Sequence, residues 1–175
     1  MRELQARKQN RMKDYDYSQN GAYFITICSK NRMELFGNII NAPYEQNSPV
    51  GATVLGRPLV HLSEVGKMIE NAILYYNEMK IDTKFDRYII MPNHLHAIVV
   101  IAGETGDRGR SPLQVVVRNL KSYVTKNIGF SPWQKSFYDH IIRNEQDYSR
   151  IAEYIENNPA NWQNDRFYKT TYIHT

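Results

Sequence analysis

The apolar positions of the chain follow two periods. Ala22 to Ser29 is rich in aromatic and β-branched residues and reads as a buried strand, with Phe36 to Ile40 expected as the second strand of a hairpin. After Ser63, a residue suited to capping, Val65, Met68, Ile69, Ala72, Ile73, Tyr76 and Met79 recur at helical spacing, so one face of that helix must lie on a sheet. Phe85 to Met91 and His94 to Ile101 read as two strands meeting at the turn pair Pro92-Asn93. A second helix is expected from Leu113 to Ile128. It buries Leu113, Val117, Leu120 and Val124 and turns Gln114, Arg118, Lys121 and Thr125 outward. Phe137 to Arg143 is a further strand. Asn144 can cap a last helix with Asp147 at its third position, and Pro159 disfavours helical geometry at Asn158. Strands and helices in this order, with antiparallel hairpins, predict an α+β sandwich with helices on one face of the sheet.

Other stretches carry no period. Residues 1–20 form a basic arm ending in turn-forming residues. Residues 41–60 hold Asn41, Pro43, Asn47, Pro49, Gly51, Gly56 and Pro58 and read as an irregular insertion, with a short strand expected near 53–55. Residues 103–112 read as a linker and 163–175 as a tail, leaving 21–162 as one domain. A chain of 175 residues with 42% hydrophobic and 23% charged positions is long enough for one real core. Its longest apolar run, Ala97 to Ala102, falls far short of the ~18 residues of a membrane span, and the basic N-terminus lacks a signal-peptide core. A cytoplasmic protein without membrane contact is the expectation. The lone Cys28 rules out an internal disulfide and a cysteine-based zinc site. A net charge of +4 is modest, but its distribution is uneven. Arg2, Arg7, Lys8, Arg11 and Lys13 crowd the arm, and Arg108, Arg110, Arg118, Lys121 and Lys126 fall in a stretch without acids. Both clusters suit a phosphate backbone, and both also suit an ordinary solvated surface.

Candidate chemistry begins at His94-Leu95-His96. Side chains alternate along a strand, so the two imidazoles share a face and make half of a site for a divalent cation, unless they are only tolerated at a strand end. On the last helix Tyr154 and Asn158 lie one turn apart at the border of the apolar stripe formed by Tyr148, Ile151, Ala152 and Ile155. The tyrosine could reach over the sheet and the amide oxygen could meet a hard cation, although an aromatic residue at such a border is more often packing. His140, beside Asp139 in a strand, reads as structural before it reads as part of a site.

Three separated segments then carry a resemblance: Met91-Pro92-Asn93-His94-Leu95-His96, the stretch from Trp133 to Arg143, and Tyr154-Ile155-Glu156-Asn157-Asn158-Pro159. Together with Asp14-Tyr15-Asp16-Tyr17-Ser18 and Ala22 to Cys28, they resemble the REP-associated tyrosine transposases, of the single-tyrosine HUH (IS200-like) family. The likeness runs from residue 7 to 162. The insertion at 41–60 departs from it and is longer than in compact members. The resemblance implies a ferredoxin-like antiparallel sheet with a C-terminal helix carrying the tyrosine. It implies Tyr154 as nucleophile, His94, His96 and Asn158 around Mg²⁺ or Mn²⁺, and a 5′-phosphotyrosine intermediate in the cutting and rejoining of single-stranded DNA beside palindromic hairpins. It also implies that Arg7, Lys8 and Arg11 contact DNA near a hairpin and that Arg118 and Lys121 follow phosphates, with Tyr17 or Tyr23 available for base stacking. A monomer is expected, a homodimer being the alternative. The competing readings are a metal-dependent nuclease using water and a non-catalytic hairpin-binding protein.

Overall fold

A computed structural model describes residues 20–41, 58–103 and 111–168. The arm with Arg7, Lys8, Arg11 and Tyr17, the strand expected near 53–55, and residues 104–110 and 169–175 lie outside the described residues. In chain order the elements are β1 (Gly21–Cys28), a 3-10 turn (Lys30–Arg32), β2 (Gly37–Asn41), β3 (Pro58–Leu62), α1 (Glu64–Met79), β4 (Thr83–Met91), β5 (His94–Ile101), α2 (Pro112–Ile128), β6 (Tyr138–Ile142), α3 (Glu145–Asn157) and a second 3-10 turn (Trp162–Asn164).

Four strands form an antiparallel sheet in the order β4-β5-β1-β6. Two β-α-β units interleave in it: β1, α1 and β4 make one, β5, α2 and β6 the other, which is the ferredoxin-like arrangement. The two-residue turn Pro92-Asn93 joins β4 to β5, with Met91 opposite His94. A bulge between Phe85 and Arg87 shifts the register of β4.

The period of two divides the sheet between two cores. Tyr23, Ile25 and Ile27 of β1 and Leu95, Ala97, Val99 and Ile101 of β5 pack with Ile69 and Ile73 of α1 and Leu113, Val117, Leu120 and Val124 of α2. The alternate residues Phe24 and Ile98 pack on the opposite face against Ile151 and Ile155 of α3. The capping expectations hold: Ser63 Oγ accepts from Gly66 N at 3.1 Å and Asn144 Oδ1 from Asp147 N at 2.8 Å. Helix α3 ends at Asn157, two residues before Pro159.

The expected hairpin between β1 and residues 36–40 is not formed. Strand β2 pairs with β3 in a separate two-stranded sheet, because β6 and β5 already occupy both edges of β1. Of the stretch expected as an insertion at 41–60, Asn41 belongs to β2 and the last residues to β3, while 42–57 lie outside the described residues. Between residues 162 and 168 the chain stays packed: Trp162 and Phe167 are buried with Cys28 and Met91 in a third cluster. Among the described residues no helix is long and apolar enough to cross a membrane.

Candidate functional site

His94 and His96 leave β5 on the α3 side, and both are fully buried. Each Nδ1 is held by a neighbour. His94 Nδ1 lies 2.9 Å from Asn93 Oδ1, and His96 Nδ1 lies 2.9 Å from Thr26 Oγ1, directly across the β1–β5 ladder. The Asn93 amide nitrogen donates to the carbonyls of Phe167 (2.9 Å) and Arg32 (3.3 Å), so its oxygen is the atom that faces His94. An oxygen there requires the proton of His94 on Nδ1 and leaves the lone pair on Nε2. Burial pushes His94 down to about 4, the Asp165 carboxylate opposing it, and burial followed by the neighbouring His94 holds His96 well below its ordinary value. Both rings are neutral near pH 7, the form that binds metals.

Helix α3 runs over this pair. Tyr154 Oη is 3.2 Å from His96 Nε2 and 3.4 Å from Asp165 Oδ2. Burial raises the phenol above its ordinary value, with the Asp165 carboxylate adding to the rise and Arg166 working against it. Phe24 meets the tyrosine ring edge-on, with centroids 6.1 Å apart. Asn158, buried one turn further along the chain, donates from Nδ2 to Asp165 Oδ2 at 3.2 Å. Among the described residues two buried polar atoms lack a hydrogen-bond partner, His94 Nε2 and Asn158 Oδ1. An unmet buried polar atom costs roughly 1–3 kcal/mol, so two at one site call for a ligand. His94, His96 and Asp165 offer ligand atoms within 4.8 Å of one another, a set compatible with a divalent metal.

The structure thus brings His94, His96, Tyr154 and Asn158 to one place. Arg118 and Lys121 lie on α2, against the opposite face of the sheet. Arg118 is exposed. Lys121 donates to the carbonyls of Gln134 (2.9 Å) and Ser136 (3.3 Å), and burial pushes its amine down to about 8. Tyr23 is buried in the core. His140 binds Asp147 at 2.9 Å on the site face. Sequence reasoning missed Asp165 and the tie through Asn93, which it read only as a turn. A polar residue immediately before a strand-leading histidine was the one available signal.

Two hollows flank the tyrosine. One, of about 510 Å³, is lined by Glu153, Asn157, Asn158, Asn161 and Asp165; the other, of about 480 Å³, by Phe24, Tyr138 and His140; Arg150, Tyr154 and Arg166 border both.

Fold and site together define an α+β protein with a ferredoxin-like sheet and paired histidines under a tyrosine-bearing helix. Among the proteins it is similar to are REP-associated tyrosine transposases. It is 29% identical to the REP-associated tyrosine transposase of Escherichia coli K12 over 82% of this chain and 69% of that protein. It is 37% identical, across 93% of each chain, to an uncharacterized protein of Haemophilus influenzae. The solved structure of a REP-associated tyrosine transposase bound to a REP hairpin superposes with a TM-score of 0.58 at 22% identity, over 86% of this chain and 74% of that one. No family model matches the sequence.

Proposed function

We propose that this protein is a transposase that cuts and rejoins single-stranded DNA beside palindromic hairpins through a covalent 5′-phosphotyrosine on Tyr154. One observation carries the reading: a half-exposed phenol sits 3.2 Å from one of two buried, neutral histidines, beside the unpartnered polar atoms His94 Nε2 and Asn158 Oδ1. The relatedness to a hairpin-bound transposase supports the substrate class.

The residues fit a divalent cation, Mg²⁺ or Mn²⁺. His94 Nε2, His96 Nε2 and Asn158 Oδ1 would hold it, and Asp165 supplies a carboxylate to the same set. When bound, the cation would polarise the scissile phosphate and offset its developing charge. The remaining chemistry belongs to the chain. Because its phenol is raised above the ordinary range, Tyr154 is protonated near neutral pH and needs an acceptor as it attacks. Asp165 Oδ2, which already accepts its hydrogen bond, is that acceptor. The tyrosine oxygen bonds to phosphorus, the bond to the 3′ oxygen breaks, and that oxygen takes a proton from solvent. The phosphodiester bond energy is kept in the tyrosine ester, so another 3′-hydroxyl reverses the step and reseals a strand without ATP. Arg7, Lys8 and Arg11, with exposed Arg118 on α2, would provide positive charge for the flanking duplex.

The test is covalent trapping of an end-labelled single-stranded hairpin oligonucleotide from the source genome with Mn²⁺. Wild type should yield a denaturation-resistant adduct, and Tyr154→Phe or chelator should abolish it. Cleavage without adduct in both proteins would replace the tyrosine with water. Hairpin binding with neither product would make the protein a non-catalytic binder.

A further inference from the structure

Two guanidinium groups share one aromatic ring beside the site. Phe167 is buried, and its ring centroid lies 4.6 Å from that of His94 and 5.9 Å from that of His96. Arg166 Cζ sits 4.6 Å from the same ring centroid and Arg32 Cζ 5.0 Å from it. Each stacking contact is worth about 0.5–1 kcal/mol when exposed, yet gathering two cations on one ring sets them against each other. Among the described residues neither guanidinium has a carboxylate within ion-pair distance. Among the described residues Arg32 donates one N–H, to the Arg166 carbonyl at 3.4 Å, which leaves most of its donor fork for a ligand. Two guanidiniums placed over one aromatic ring, with no carboxylate partner among the described residues, are preorganised for the oxygens of a phosphate.

The backbone at Arg32 points the same way. Asn31 and Arg32 both have φ of 56°, in the left-handed region that asparagine tolerates but that costs a residue such as arginine about 1–2 kcal/mol. Asn93, which also orients His94, holds this turn through the Arg32 carbonyl, and Ser29 Oγ closes it by donating to the Met33 carbonyl at 2.6 Å. One buried amide therefore sets both the metal-facing nitrogen of His94 and the position of the Arg32 backbone. On the other side Arg166 reaches Tyr138, its Cζ 5.7 Å from a ring that is 43% exposed on the wall of the smaller hollow. A cation beside an open aromatic face is the pairing that single strands use for a phosphate and its base.

We propose that Arg32 and Arg166, stacked on Phe167, clamp a backbone phosphate of the single strand next to the one Tyr154 attacks, with Tyr138 as the platform for the adjoining base. This rests on the cut-and-join reading and adds to it the contact that registers the strand against the tyrosine. Such a contact is independent of sequence, which sets the probe.

The experiment is fluorescence anisotropy of the full chain with labelled (dT)20 from 50 to 300 mM KCl, for wild type, Arg32→Gln, Arg166→Gln and the double variant. Thermal midpoints are read alongside, and exposed Arg166 provides the arm least exposed to folding defects. Each single variant should bind about fivefold more weakly at 100 mM salt, and the slope of log affinity against log salt should shrink by about 0.7 in the double variant, in which the one phosphate contact is lost. Tyr138→Ala should weaken binding without changing the slope. Wild-type affinity and slope in both arginine variants would overturn the clamp. Absence of (dT)20 binding by a wild type that still forms adduct would also overturn it, and both results leave the cut-and-join reading standing. A wild type that neither binds nor forms adduct would overturn both.

Discussion

Individual residues in this molecule are fixed by partners remote in sequence. Asn93 touches the Phe167 and Arg32 carbonyls and His94 at once, and Thr26 meets His96 from the neighbouring strand. Burying the two imidazoles in neutral form has a cost that appears in acid. The unfolded chain protonates its histidines near 6.5, whereas folded His94 waits until about 4 and His96 is held well below its ordinary value. Below 6.5 the unfolded state therefore binds more protons, and stability falls with pH down to about 4. In chelator, urea denaturation should show a loss on the order of 2–3 kcal/mol between pH 7 and pH 4 from His94 alone, beyond the carboxylate contribution. His94→Asn should flatten that slope; an unchanged slope would mean that the ring is hydrated in the folded state. Asp165 illustrates why part of the site was not legible in the sequence. Its carboxylate reaches Tyr154 and Asn158 only because the chain turns back after α3, and nothing in residues 159–168 has a period that announces the turn.

At the level of elements, helices α1, α2 and α3 were legible because a helical period constrains each stripe locally, and the histidine pair because a strand period does the same. The partner of β2 was not legible. Adjacent strands favour a hairpin, but that tendency gives way when both edges of β1 are taken by strands far along the chain. The junction of β2 with α1 has its own signature. Gly66 lies in the first turn of α1, and a Cβ there would come far inside van der Waals contact distance of the Phe36 carbonyl oxygen, which also accepts from Ser63 N at 3.0 Å. Glycine to alanine inside a helix ordinarily stabilises by about 1 kcal/mol. Here the close approach reverses the sign: Gly66→Ala should destabilise by about 2 kcal/mol in chemical denaturation. A stabilised variant would show that α1 can slide away from the β2 junction freely.

Taken whole, the molecule separates labour between the faces of one sheet. Helices α1 and α2 bury the large core on one side, while α3 and the segment through Phe167 cover the histidines on the other. The histidine strand β5 is bonded along both edges, to β4 and to β1, and β1 is itself bonded along both. Backbone amides of such strands are released only when the whole domain opens, whereas a surface helix anchored on Ile151 and Ile155 can come loose alone. Native-state hydrogen exchange should thus find the β1 and β5 amides opening at the global free energy and those of α3 at a lower one; equal values would mean a single cooperative unit. Under that outcome the two halves of the site would keep different clocks: the imidazoles in register for as long as the protein is folded, the tyrosine on the schedule of a helix.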